Sequence, residues 1–133
     1  MTAQDLIAAF GKRIGQDGLR FNDKKSLMIL LDERTPVNIE APDGANAIFV
    51  SSLLCHYPPD AERAALFEVL MEAHTFGVAT YNCYFGTSRA AGKVILFRRF
   101  DLPDTAADSF VDGLASFLSV LEFWKGKVKE AGL

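Results

Sequence analysis

Near the start of the chain, Leu6, Ile7, Phe10 and Ile14 recur at the spacing of one helical face, with Thr2 placed as an N-cap and Gly15 and Gly18 as a stop. Leu19 and Phe21 then alternate with polar residues. The run SLMILLDE from Ser26 reads as a strand that is apolar on both faces. Thr35 and Pro36 mark a turn, Val37 to Ala41 alternates with Val37 and Ile39 inward, and PDGAN turns the chain into a third strand, Ala47 to Leu54. Pro58, Pro59 and Asp60 open a second helix, with Asp60 and Glu62 at its positive end. VATYNCYF, Val78 to Phe85, is β-branched and aromatic and predicts a fourth strand. GTSRAAG is a loop and KVILFRRF a fifth strand, so that the last two strands form a hairpin. Pro103 and Asp104 begin the last helix, in which Phe110, Leu114, Phe117, Leu121, Trp124 and Val128 step alternately by four and three.

The order α-β-β-β-α-β-β-α, with short connections, favours an α+β fold in which helices pack on a twisted antiparallel sheet. The reading is of one domain over residues 1–133, without repeats, linkers or low-complexity tracts.

The second helix has more apolar surface than one sheet can cover. At about 100° per residue, Ala65, Leu66, Val69, Leu70 and Ala73 occupy one half of its circumference, and Ala64, Phe67 and Met71 much of the other. Only the strip carrying Glu68 and Glu72 is polar. A chain of 133 residues is too short to shield a helix on every side, which predicts a homodimer. Leu66, Val69, Leu70 and Ala73 are the expected intrachain face, and Ala64, Phe67, Met71 and the bordering Leu70 the expected dimer interface.

Composition narrows the partners. Half of the residues are hydrophobic and 23% are charged, as in globular proteins, and the net charge of −3 supplies no positive field for nucleic acid or anionic lipid. No apolar run has the roughly 18 residues of a membrane span, and the N-terminus lacks a basic segment followed by a long apolar one, so the expected location is the cytosol. No nucleic-acid or membrane partner is expected.

Candidate chemistry is sparse. Cys55 and His56 are strand neighbours and point to opposite faces, which makes a poor nucleophile and base pair, and with Cys83 and His74 they show no metal-ligand spacing. Gly86 to Lys93 has five residues between its glycines where a phosphate loop has four, and Val94 where that loop has Ser or Thr. No cofactor, metal or catalytic residue is expected; an enzyme working through Cys83 or Cys55 is the competing reading. Arg98 and Arg99, adjacent in a strand, face opposite sides, one toward a helix or partner and one toward water.

Laid end to end, these strings resemble the class I type III secretion chaperones of the CesT/Tir chaperone family. Arg63, Leu66, Phe67, Leu70, Met71, Glu72, Ala73 and His74 are similar to that family's second helix, and Gly77 to Ala79 to the opening of its fourth strand. Gly92, Lys93, Val94, Leu96, Arg98 and Arg99 match its Gly-Arg-Val strand, Leu102 and Pro103 follow, and Phe117, Glu122 and Trp124 match its last helix. His74 stands where the family has Asn, Phe76 and Gly77 where many members have a glycine pair, and the loop after Gly86 lacks an Asp-Pro turn. The resemblance implies a dimeric cytoplasmic chaperone that holds the N-terminal segment of a secreted effector extended and presents it for secretion, with the secretion ATPase as a further partner. A regulatory module of the same fold, sequestering a secretion or transcription regulator, is the alternative. Apolar spacing together with the resemblance makes Leu6, Phe10, Ile14, Leu27, Ile29 and Leu31 the expected effector contacts, joined by Arg98 and Arg99. An extended client can lie in apolar grooves and add a strand to a sheet edge.

Overall fold

A computed structural model describes residues 2–132. Its elements are α1 (Ala3–Arg13), β1 (Ser26–Leu31), β2 (Thr35–Glu40), β3 (Ala47–His56), α2 (Asp60–Ala73), β4 (Tyr84–Ser88), β5 (Lys93–Asp101) and α3 (Ala107–Glu130), with short 3-10 turns at Thr75–Gly77 and Leu102–Asp104. The five strands form one sheet in the order β1-β2-β3-β5-β4, so β1 and β4 are its edges. This is the α+β fold, with an antiparallel sheet and the element order expected from the sequence. The chain divides into two units, one of residues up to 51 with 99–116 and the other of 52–98 with 117 onward.

In the first unit, Thr2 starts α1 by a reciprocal cap. Its hydroxyl accepts from Asp5 N–H at 3.1 Å while the Asp5 carboxylate accepts from Thr2 N–H at 3.1 Å. Leu6, Ile7 and Phe10 are buried along one face of the helix. Phe10 meets Phe110 edge-on at 5.2 Å, and Phe100 meets Phe110 at 4.9 Å, an aromatic cluster that Ile29, Val37, Ile39, Ile48 and Val50 complete as the core. Antiparallel pairing sets Leu30 opposite Pro36 and Ile29 opposite Val37. Thr35 and Pro36 therefore belong to β2 rather than to the turn. The register with β3 runs over Asn38 to Glu40, so the missing N–H of Pro36 falls beyond it.

In the second unit, Leu66, Leu70 and Ala73 of α2, Val94 and Leu96 of β5, and Phe117, Leu121, Trp124 and Val128 of α3 form the core. The alternating step along α3 is thus a single buried stripe. β4 departs from the expected span. It is Tyr84–Ser88, shifted past the predicted Val78 to Phe85, and Gly86, Thr87 and Ser88 are strand where a loop was expected. The pairing explains the shift: Tyr84 lies opposite Phe97 and Ser88 opposite Lys93, and a tight turn in which Gly92 N–H reaches Arg89 O closes the hairpin. Gly86 sits under the Phe97 ring, where a Cβ would come within 3.3 Å of it. Upstream, Phe76, Tyr81 and Asn82 take left-handed backbone angles (φ 58°, 49° and 67°), which no strand can contain.

Candidate interaction surfaces

In the first unit the apolar surface left to solvent belongs to β1. As an edge strand that is apolar on both sides, it points Ile29 into the core and turns Met28 and Leu30 outward, 63% and 56% exposed, with Leu27 and Leu31 half-buried. The expectation that Leu27, Ile29 and Leu31 form the contact face is corrected to this extent: Ile29 offers no free surface, and the outward pair is Met28 and Leu30. Leu6 and Phe10 are also core, because the apolar stripe of α1 is the one that seats the helix in its own unit. Ile14, one residue past the helix, is exposed.

Beside α1 lies an open groove of about 490 Å³ lined by Gln4, Ala8, Gly18, Leu19, Arg20 and Phe21. The Gln4 carboxamide makes one edge of it, donating to Leu19 O and accepting from Phe21 N–H, both at 3.1 Å. Arg99 is engaged within the unit. Its guanidinium contacts Asp101 at 2.7 Å, donates to Ala45 O at 3.2 Å and lies over the Phe49 ring at 5.5 Å.

In the second unit, α2 buries only the stripe of Leu66, Leu70 and Ala73. Leu70, expected to border both the intrachain face and the dimer interface, is core. Val69, expected to face inward, is 53% exposed because it lies at the margin of that stripe. Met71 is 70% exposed, Ala64 is exposed, and Phe67 is half-buried edge-on to Tyr57 at 5.5 Å. The two apolar flanks of α2 floor two separate grooves. One, of about 330 Å³, runs along α3 past Ala65, Val69, Trp124 and Val128; the other, of about 230 Å³, runs along the hairpin past Phe67, Met71, His74 and Phe85.

His74 closes α2. Its backbone N–H reaches Met71 O at 3.1 Å and its carbonyl accepts from Gly77 N–H at 2.9 Å. Its ring Nε2 accepts the Phe85 N–H at 2.7 Å and stacks on the Phe85 ring at 5.1 Å. The segment between those anchors carries Phe76, 95% exposed, together with exposed Val78 and Tyr81, and a buried Thr80 whose hydroxyl has no hydrogen-bond partner among the described residues. The indole N–H of Trp124 donates to Ala79 O at 3.1 Å. Val78, Thr80 and Tyr81 hid this loop from the sequence reading, although Gly77 and Asn82 are turn-forming residues.

Burial pushes the thiols of Cys55 and Cys83 above the usual range, and at Cys83 the positive charge of Arg98 partly offsets it. A nucleophilic cysteine needs the opposite shift. Arg98 is half-buried in β5. Among the described residues no three His, Cys, Asp or Glu side chains come together as a metal site, and no helix is long and apolar enough to cross a membrane.

Residues 5–125 match the profile of the Tir chaperone protein (CesT) family. A comparison with curated proteins finds no match. Among solved structures the chain is similar to one in the ExsC-ExsE complex, with a TM-score of 0.77 and 21% identity over 94% of this chain and 95% of that one. It is similar to one in the HopA1-SchA chaperone-effector complex, with a TM-score of 0.76 and 11% identity over 92% and 91%. A third is from the complex of the Yersinia pestis type III secretion chaperone SycH with a fragment of YscM2, with a TM-score of 0.69 and 12% identity over 92% and 99%. These structures share the fold at identities of 11–21%, too low for the likeness to rest on sequence, while the profile covers nearly the whole chain. The chain belongs to the Tir chaperone protein (CesT) family of type III secretion chaperones.

Proposed function

We propose that this chain binds the N-terminal segment of a type III secreted effector in extended form, keeps it from aggregating and releases it to the secretion apparatus, the secretion ATPase being the partner at that step. The observation that carries the reading is β1, an edge strand that exposes Met28 and Leu30. Proteins ordinarily blunt such an edge with charge, proline or a covering element. Left open, it offers main-chain hydrogen bonds to an incoming strand and apolar contacts to that strand's alternate side chains. The complexes of structurally similar chaperones with effectors support the same reading. Ile14 and the groove beside α1 extend the apolar surface within the first unit.

The chain acts as a homodimer in this proposal, through the exposed flank of α2 at Ala64, Met71 and the half-buried Phe67. Arg99 is held within the first unit by Asp101 and Ala45, and Arg98 is half-buried in β5; alanine at each position, read by client affinity, tests both for client contact. Amide exchange with and without a bound effector N-terminal segment tests the site. Protection gained along Ser26–Leu31 is the expected result; protection confined to α2 and β4 would overturn the assignment of the client to β1.

A further inference from the structure

One of the bonds that close the segment after α2 is made by a ring nitrogen, beside the bond from the Trp124 indole to Ala79 O. His74 Nε2 accepts the Phe85 N–H, so the neutral ring carries its proton on Nδ1. A protonated imidazole has N–H groups at both positions and cannot accept. The ring borders the groove lined by Phe67, Leu70 and Met71 of α2, Phe85 and Thr87 of β4 and Val94 of β5, and the Tyr84 ring lies 6.2 Å from the imidazole. No carboxylate among them could stabilise an imidazolium in place.

Between the two anchor residues the chain holds Phe76, Tyr81 and Asn82 at left-handed angles and keeps the Thr80 hydroxyl buried, with no hydrogen-bond partner among the described residues. Each of these features costs free energy. Opening the loop relaxes the backbone and lets water reach Thr80. We infer that His74 is a pH-sensitive latch: the neutral imidazole holds β4 to the end of α2 and closes the 75–83 loop, and protonation releases the loop with its exposed Phe76, Val78 and Tyr81. The latch is a property of the second unit and does not depend on which client the first unit binds.

The sole tryptophan reports on the same loop, because its indole N–H is bonded to Ala79 O. The experiment follows three signals in one labelled sample of the full chain from pH 8 to 5: the His74 ring nitrogens, the Trp124 indole N–H, and the exchange protection of the Phe85 amide corrected for intrinsic rate. The expected result is that Phe85 protection falls roughly tenfold as His74 takes up its proton, the loss of about one hydrogen bond, and that the indole resonance shifts in step. In His74→Gln, whose carboxamide oxygen accepts but does not titrate, both signals should stay flat over that range. A Phe85 amide that keeps its protection while the ring titrates overturns the latch. So does an equal fall in His74→Gln; should that variant not fold, the wild-type comparison decides alone.

Discussion

Replacing Met28 and Leu30 together by serine should weaken client binding without unfolding the chaperone. Both side chains are already partly covered, so only the exposed 63% and 56% can be buried by a client. Full burial of such a side chain contributes about 1.5–3 kcal/mol. Scaled by exposure, the pair contributes about 2–3.5 kcal/mol, or roughly 30- to 400-fold in Kd. Because the substitutions remove surface that faces water in the free protein, the melting temperature should stay near that of the parent. Ile29→Ala is the matched comparison: Ile29 is core, and its truncation should cost about 2–5 kcal/mol of stability. Anisotropy of a labelled effector N-terminal segment, read beside thermal melts of the three proteins, separates the two faces of β1. Unchanged affinity in the Met28 and Leu30 double variant would refute the argument from the exposed edge.

Two further outcomes concern the second unit. Met71→Lys should shift sedimentation from dimer to monomer with little change in melting temperature, whereas Leu70→Ala should lower stability by about 2–5 kcal/mol, since Met71 is exposed and Leu70 is core; a parent that sediments as a monomer would remove the dimer. Alkylation of Cys55 and Cys83 should be slow at neutral pH and rise only as pH climbs past the ordinary thiol range, because burial raises both and only the thiolate reacts. Peptide mapping after timed quenching would show this, with the buried Cys83 lagging the half-buried Cys55; rapid modification of either at pH 7 would contradict the shift.

What could be read from the sequence depended on whether one physical effect acted alone. Along α3 only burial was at stake, and the six residues from Phe110 to Val128 are all core. The order of elements along the chain and the closing hairpin followed from turn residues and alternation. In β1 every residue from Leu27 to Leu31 is apolar, so the period that tells inside from outside was missing, and the face was set by its pairing with β2, where Val37 and Ile39 alternate with polar neighbours. For α2 the circumference showed two apolar flanks but not which margin the sheet would cover, and Val69, expected inward, is left exposed while the bordering Leu70 is core. The segment from Val78 to Asn82 carries the strand-forming Val78, Thr80 and Tyr81, yet tertiary bonds to His74 and Trp124 hold its surroundings in a turn. Local propensity carries no information about such partners.

The Gln4 carboxamide has a meaning beyond the groove it borders. By bonding Leu19 O and Phe21 N–H it acts as a reversible cross-link, joining positions 15 and 17 residues apart in the chain. Closing a loop of that length costs roughly 2.4 kcal/mol of chain entropy before any constant term. Two neutral hydrogen bonds return about 1–3 kcal/mol, toward the lower end here because both are exposed. The terms are of similar size, so the two bonds offset much of the entropy of ordering the link between α1 and β1. Only a primary amide offers donor and acceptor side by side; a glutamate at this position would keep the bond to Phe21 and lose the one to Leu19, and the balance would tip toward the open loop.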